Sequence, residues 1–321
     1  MPNRLASLLT ASALAFTAGA ALAQPAPVRS AAAATAAPPA QSVAPLTVQG
    51  VAPPKMIEEQ TYNFVQKFAA APNPEVDQIA RWRDPVCVEV LGLQADQAAL
   101  IKTRIEGVAG SLGLPKTGPN CRADVEILFT GQPQAMMDAV ARRREELLGY
   151  YHRHDGARLK TVTRPIQAWY VSATLGSSSY PTNSPWWLEL RDDPDNLMPT
   201  GCGNSHIFTV CLQSVLKNVL VVADSKAVDG KDAGMVADYL AMLTLAQPKS
   251  LDGCNALSSV IDAFAPSACA GRETPAGLTP GDAAYLTALY QSDPEATKWN
   301  AQGDIANRMA KILIKAANAG G

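Results

Sequence analysis

The sequence is poor in charged side chains, in aromatic rings and in histidine. Charged residues make up 17 % and aromatic residues 6 % of the 321 positions, and there are three histidines. With a formal net charge of −2, the chain lacks the basic excess that nucleic-acid binding requires. A hydrophobic fraction of 47 % excludes a wholly disordered chain. We therefore expect a globular protein that does not bind nucleic acid.

Motifs of the common catalytic classes are also missing. The sequence contains neither a G-x-S-x-G elbow nor a glycine-rich phosphate loop. The nearest pair of histidines, His152 and His154, lies in a basic stretch that is typical of a solvated loop. We therefore expect no cofactor and no bound metal, and we favour a protein that is not an enzyme.

The N-terminus reads as an export signal followed by a spacer. Arg4 precedes an apolar stretch at 5–20, and Ala21-Leu22-Ala23 forms a small-residue cleavage site. An uncleaved membrane anchor is the alternative, and no later segment is long and apolar enough to span a bilayer. Residues 24–54 are rich in alanine and proline, which favours an extended linker. The sequence thus predicts a signal peptide at 1–23, a linker at 24–54, one domain at 55–321, and a periplasmic or secreted protein.

Six cysteines in an exported chain predict disulfide bonds, although the number alone leaves many pairings open. The patterns at 85–93, 95–112 and 123–130 predict strand, helix and strand, a crossover unit whose strands are parallel. Cys87 and Cys121 would then lie at the same ends of neighbouring strands. The other predicted pairs are Cys202–Cys211, which flanks a short loop, and Cys254–Cys269. Cys202, His206 and Cys211 could alternatively bind a metal, but export favours the disulfide.

The remaining patterns predict a mixed fold. Helices are predicted at 57–71, 134–151, 232–246, 278–290 and 302–317, with strands at 166–175, 207–212 and 219–223. Thr279 is the expected N-cap of the helix at 278–290, and Pro280 occupies the first turn of that helix. The predicted fold class is α+β or α/β, with about five strands in one mixed sheet and an extra helix at the C-terminus.

A polar segment at 177–206 separates two predicted strands and contains clustered aromatic residues. Tyr180, Trp186 and Trp187 lie within it. Long loops often hold binding residues, and aromatic side chains are frequent interface anchors. These three residues are the predicted ligand-binding positions, with a lid folded over the core as the alternative.

The order of elements and two short motifs resemble the metzincin zinc-peptidase domain over residues 81–291. LSSVIDAF at 257–264 stands where that family has its methionine-containing turn, with Ile261 or a neighbour in place of the methionine. LTPGDAAYLTALY at 278–290 is similar to the helix that follows in the family. The chain particularly resembles a group of bacterial exported proteins with a metzincin-like pattern and a degraded active helix.

The family signature H-E-x-x-H-x-x-G-x-x-H falls on residues 237–247. Ala237, Ala241 and Gln247 replace its three zinc ligands, and Asp238 replaces the glutamate that acts as general base. Two alanines and an amide cannot hold a divalent cation against water. The resemblance therefore implies a pseudoenzyme, that is, a protein with a zinc-peptidase-like fold that lacks the zinc site.

These observations favour an exported binding or envelope-associated protein whose partner is an envelope protein or a peptide. Two alternatives stay open. One is a hydrolase with an unrecognised site that uses Asp238 or the pair His152 and His154. The other is a structural envelope protein in which the alanine- and proline-rich tract acts as a spacer.

Overall fold

The computed structural model describes residues 53–71, 77–149, 156–176, 212–252, 254–265, 269 and 271–319. All of them belong to one compact unit, Gly50–Gly321. The predicted signal peptide and nearly all of the predicted linker lie outside the described residues. The elements are α1 (Pro54–Phe68), β1 (Val88–Leu91), α2 (Ala95–Ser111), β2 (Val125–Thr130), α3 (Pro133–Arg143), α4 (Gly156–Leu159), β3 (Ile166–Gly176), β4 (Leu212–Asp224), α5 (Ser225–Val228), α6 (Ala233–Leu245), α7 (Pro280–Gln291) and α8 (Lys298–Ala319). Two 3-10 helices occupy Glu145–Leu148 and Val260–Phe264.

The described strands form one mixed sheet in the order β1-β2-β4-β3. β1, β2 and β4 are parallel, and β3 is antiparallel to β4. The predicted crossover from β1 through α2 to β2 is confirmed, and so is the mixed α+β class. The sheet has four described strands where about five were predicted.

Two strands were predicted at 207–212 and 219–223, but the described part of this region is one continuous strand, β4. The predicted break between the two strands was wrong. Lys217 and Asn218 interrupt the apolar pattern of the sequence, which suggested a loop, but both side chains are buried within β4. Lys217 Nζ lies 2.8 Å from Asp84 Oδ2, and this ion pair allows the lysine to remain inside. The register with β3 shifts at this point, which makes Lys217 the extra residue of a β-bulge. Residues 207–211 lie outside the described part.

The sheet is covered on both faces. Alternation along β2 directs Val125, Ile127 and Phe129 into the larger core, which contains side chains of α1, α2, α6, α7 and α8. The opposite face carries a smaller cluster built on Met137, Leu148 and the β4 side chains Leu220 and Val222. The architecture is therefore three-layered, with α2 packed against α6 on the larger side.

Most helix predictions are confirmed, with changes at the ends. Thr279 is the N-cap of α7, as predicted, and it forms a capping box with Asp282. The helix predicted at 134–151 was wrong beyond Arg143, because Arg144 leaves the helical conformation and binds Glu126 on β2. The last helix begins at Lys298, earlier than predicted.

Two predicted disulfide bonds are present. Cys87–Cys121 joins residues beside β1 and β2, and Cys254–Cys269 closes the segment that follows α6. The third predicted pair, Cys202–Cys211, lies outside the described residues.

Candidate functional site

The predicted ligand-binding residues Tyr180, Trp186 and Trp187 lie outside the described residues. His152, His154 and His206 also lie outside them. The structure does place the four positions on which the zinc-peptidase signature falls, and three of them lie on α6.

Two of these positions are plain core residues. Ala237 and Ala241 are completely buried and belong to the larger hydrophobic core. Gln247 follows the end of α6 at Leu245, so it does not share the helix with them. Neither alanine has a ligand atom, and the described residues at these positions do not fit a zinc ion.

Asp238, which we predicted to correspond to the general base, accepts three hydrogen bonds from neighbouring donors. Arg104 on α2 donates from Nε to Oδ1 and from Nη2 to Oδ2, the latter over 3.1 Å. The backbone N–H of Leu278 donates to Oδ2 over 2.9 Å. The hydrogen bond with Asp238 raises the pKa of the Arg104 guanidinium. Both carboxylate oxygens therefore act as acceptors in a fixed ion pair.

A glycine makes this arrangement sterically possible. A Cβ atom on Gly277 would lie 2.5 Å from Asp238 Oδ2, which is closer than real Cβ contacts come. Gly277 therefore lets the chain before α7 pass against the carboxylate, and the N–H of Leu278 follows directly. Asp238 joins three parts of the molecule in this way: α6, α2 and the segment that leads into α7.

The ion pair lies in a groove between α2 and the start of α6, with a volume of about 680 Å³. We call it the α2–α6 groove. The α2 residues that line it recur at helical spacing, so they form one stripe of the helix: Asp96, Ala99, Leu100, Thr103, Arg104, Gly107 and Val108. Gly234 and Ala276 line it from the other side. The groove is thus mostly apolar, with a buried carboxylate and an accessible guanidinium in its wall.

The turn at 257–264, which we predicted to correspond to the methionine-containing turn of zinc peptidases, is held by a second buried aspartate. Asp282 accepts hydrogen bonds from Ser259 Oγ over 2.5 Å and from the backbone N–H of Val260 over 2.9 Å. Burial raises the pKa of Asp282, although these hydrogen bonds act in the opposite direction. Ile261 points into the core. The motif at 278–290 therefore has a clear structural task, which is to fix this turn to α7.

A cluster of Cys254, Asp262 and Cys269 brings three potential ligand atoms within 4.8 Å of one another. Its two sulfurs form a disulfide bond, so they are not thiolates and cannot act as metal ligands. Asp262 accepts a hydrogen bond from Asn255 Nδ2 over 2.6 Å, which gives it a local structural partner. Among the residues that the structure describes, this is the sole cluster of such groups.

Arg104, which completes the site, was not predicted from the sequence. Ala99, Thr103 and Gly107 place small residues at every fourth position of α2, and Arg104 lies next to them. This pattern is equally typical of a solvated helix face, so the sequence carries no specific signal for Arg104.

Comparison of the chain with protein-family models, with curated proteins and with solved structures finds no match. None of the helices in the described part is long and apolar enough to cross a membrane.

Proposed function

We propose that the chain is an exported, non-catalytic binding protein, related to zinc peptidases but without their metal ligands. The observation that carries the proposal is the state of Asp238. Its two oxygens accept from Arg104 and from the N–H of Leu278, so neither is directed at a substrate or at a water molecule.

The hydrolase alternative is weaker for the same reason. A general base must reach the proton that it removes. Asp238 is instead paired with the Arg104 guanidinium, and its side chain is 6 % exposed, so a substrate has little access to it. The alanines at 237 and 241 supply no group that could activate water.

Two features support binding and export. The α2–α6 groove is open to solvent and presents an exposed leucine, Leu100, beside the Arg104 guanidinium. Disulfide bonds such as Cys87–Cys121 and Cys254–Cys269 persist in oxidising compartments, so they suit a periplasmic or secreted protein. Tyr180, Trp186 and Trp187 remain our candidates for further anchors of the partner.

Metal content tests the proposal. The mature, untagged protein is purified from the periplasm without a chelator, and its zinc is measured by mass spectrometry. We expect a folded chain with far less than one zinc ion per molecule. About one tightly held zinc per chain would contradict the proposal and would direct attention to His152, His154 and His206.

A further inference from the structure

The unused edge of the Arg104 guanidinium points to the ligand of the α2–α6 groove. A guanidinium has five N–H donors on a planar fork, and it can bind a carboxylate through either of two edges. Asp238 occupies the side edge, which consists of Nε and Nη2. The end edge, formed by Nη1 and the second hydrogen of Nη2, has no partner among the described residues. The Arg104 side chain is 50 % exposed, so this edge is accessible.

Asp238 fixes the position of the end edge of Arg104, because it holds the same guanidinium by its side edge. The carboxylate is buried, is held by the N–H of Leu278 and lies against Gly277. An arginine fixed by such a partner loses little further rotamer freedom when a ligand binds, which favours binding. The pair Arg104–Asp238 is therefore a preorganised receptor for one more carboxylate.

We propose that the α2–α6 groove binds the C-terminal end of a peptide, with the terminal carboxylate on the end edge of Arg104. This inference rests on the proposed binding function and names the chemical class of the ligand. An end-on pair between a carboxylate and a guanidinium makes two parallel charge-assisted hydrogen bonds, which are among the stronger polar contacts in proteins.

The length and the lining of the groove favour a peptide. Arg104 and Asp96 are eight positions apart on α2, or roughly 12 Å at about 1.5 Å per residue. An extended peptide of about four residues covers that distance at roughly 3.3 Å per residue. Within this span Ala99 leaves room for a small apolar side chain. The Thr103 hydroxyl and the Asp96 carboxylate line the same span, and both can accept hydrogen bonds from peptide N–H groups, which an alkyl chain does not offer.

The test uses the full mature protein and an array of synthetic hexapeptides whose last residues vary. Every sequence is present twice, once with a free terminal carboxylate and once amidated. We expect the bound sequences to end in small apolar residues and to lose about tenfold in affinity on amidation, as the loss of a charge-assisted contact implies. Equal binding of the two forms, or no binding of any free-acid peptide, would overturn the inference.

A matched pair of variants locates the binding. Ala99→Leu fills the groove between Asp96 and Arg104, and Gly110→Leu introduces the same side chain on α2 outside the groove lining. Ala99 is exposed, and a Cβ atom at Gly110 meets nothing within 4 Å, so both variants should fold. We expect Ala99→Leu to weaken binding at least about tenfold and Gly110→Leu to leave it unchanged. Equal effects of the two variants would overturn the placement in the groove.

Decanoate distinguishes a peptide from a simple aliphatic carboxylate. If Ala99→Leu weakens the binding of decanoate and no peptide binds, the ligand is not a peptide and our assignment is wrong. Each of these failures leaves the proposed non-catalytic function intact, because that function is judged by zinc content. Stoichiometric zinc would contradict the proposed function whatever the peptides do.

Discussion

Two of the arginine–carboxylate pairs among the described residues, Arg104–Asp238 and Arg144–Glu126, have similar burial and lie on opposite sides of the sheet, and they differ in the edge that the arginine uses. Arg104 meets Asp238 with its side edge on the α2 side. Arg144 meets Glu126 with its end edge on the α3 side, from Nη1 to Oε2 over 2.7 Å and from Nη2 to Oε1 over 2.9 Å. The two arginine side chains are 50 % and 44 % exposed, so exposure does not separate them.

This difference shows which of the two arginines has carboxylates at both edges of its guanidinium. Nε of Arg144 faces Glu146 Oε1 at 3.8 Å, so both edges of this guanidinium face carboxylates. Arg144 ends α3 and ties that end to β2, which is a structural task. The end edge of Arg104 has no partner among the described residues, and Arg104 lines the α2–α6 groove. Two pairs that look equivalent as ion pairs therefore have different capacities for a further ligand.

Removal of the two carboxylates should change the free energy of unfolding more than any other substitution proposed below. Asp238→Ala removes the partner of Arg104 and also the acceptor of the Leu278 N–H, whereas Glu126→Ala frees Arg144 to move toward water and Glu146. We expect the free energy of unfolding to fall by about 3 kcal/mol for the first variant and by about 1–2 kcal/mol for the second. Urea denaturation measures both. Equal losses would mean that the Leu278 contact contributes nothing.

A smaller effect is expected at the glycine that admits Asp238. In Gly277→Ala the new methyl group collides with Oδ2, so the carboxylate must move away from the Leu278 N–H. We expect a loss of about 1–2 kcal/mol, as is usual for an overpacked site.

Gly303→Ala on α8 is the control for this variant, because its Cβ meets nothing within 4 Å. Alanine in a helix interior should leave stability unchanged or raise it slightly. Thermal unfolding of the two variants side by side makes the measurement. A Gly277→Ala protein as stable as wild type would show that Asp238 is free to shift.

The smallest expected effect concerns a third carboxylate, Asp124, which is half-buried. Burial raises the pKa of Asp124 from 3.8 to about 6, and nearby Asp84 adds to the rise, while the N–H of Cys87, Lys217 and Arg122 lower it. Between about pH 4 and pH 6 the folded chain keeps a proton that the unfolded chain releases, so this group's contribution to stability falls as pH rises through that window.

Asp124→Asn removes the charge and keeps an oxygen for the Cys87 N–H, which donates over 3.3 Å. Because the carboxyl group is only half-buried, we expect a gain of about 1 kcal/mol near pH 7 and no gain near pH 4. Thermal unfolding of the wild type and Asp124→Asn across this pH range measures the difference in stability. A gain that is the same at both ends would refute the assigned shift.

Local patterns predicted the frame of the fold well. The crossover from β1 through α2 to β2 follows from alternation and helical spacing, and Cys87–Cys121 follows from that crossover. The errors arose where a distant residue compensates for a local break in pattern. Lys217 remains in β4 because Asp84 neutralises it, and α3 ends at Arg143 because Glu126 holds Arg144.

The candidate site was only half predictable for the same reason. That Ala237 and Ala241 carry no metal-binding atom can be read from the sequence. The engagement of Asp238 depends on Arg104, which is 134 positions away, and on Leu278, 40 positions away. Neither partner is implied by the local pattern of α6, so the state of the carboxylate became visible only in three dimensions.

A single binding experiment that compares the two arginines tests the role of the end edge of Arg104. The free-acid peptide that binds best on the array is titrated into the wild-type protein, Arg104→Gln and Arg144→Gln, and the unfolding curve of each variant verifies its fold. We expect Arg104→Gln to lose at least about tenfold in affinity and Arg144→Gln to bind like the wild type. Equal affinity of the two folded variants for the peptide would contradict that role.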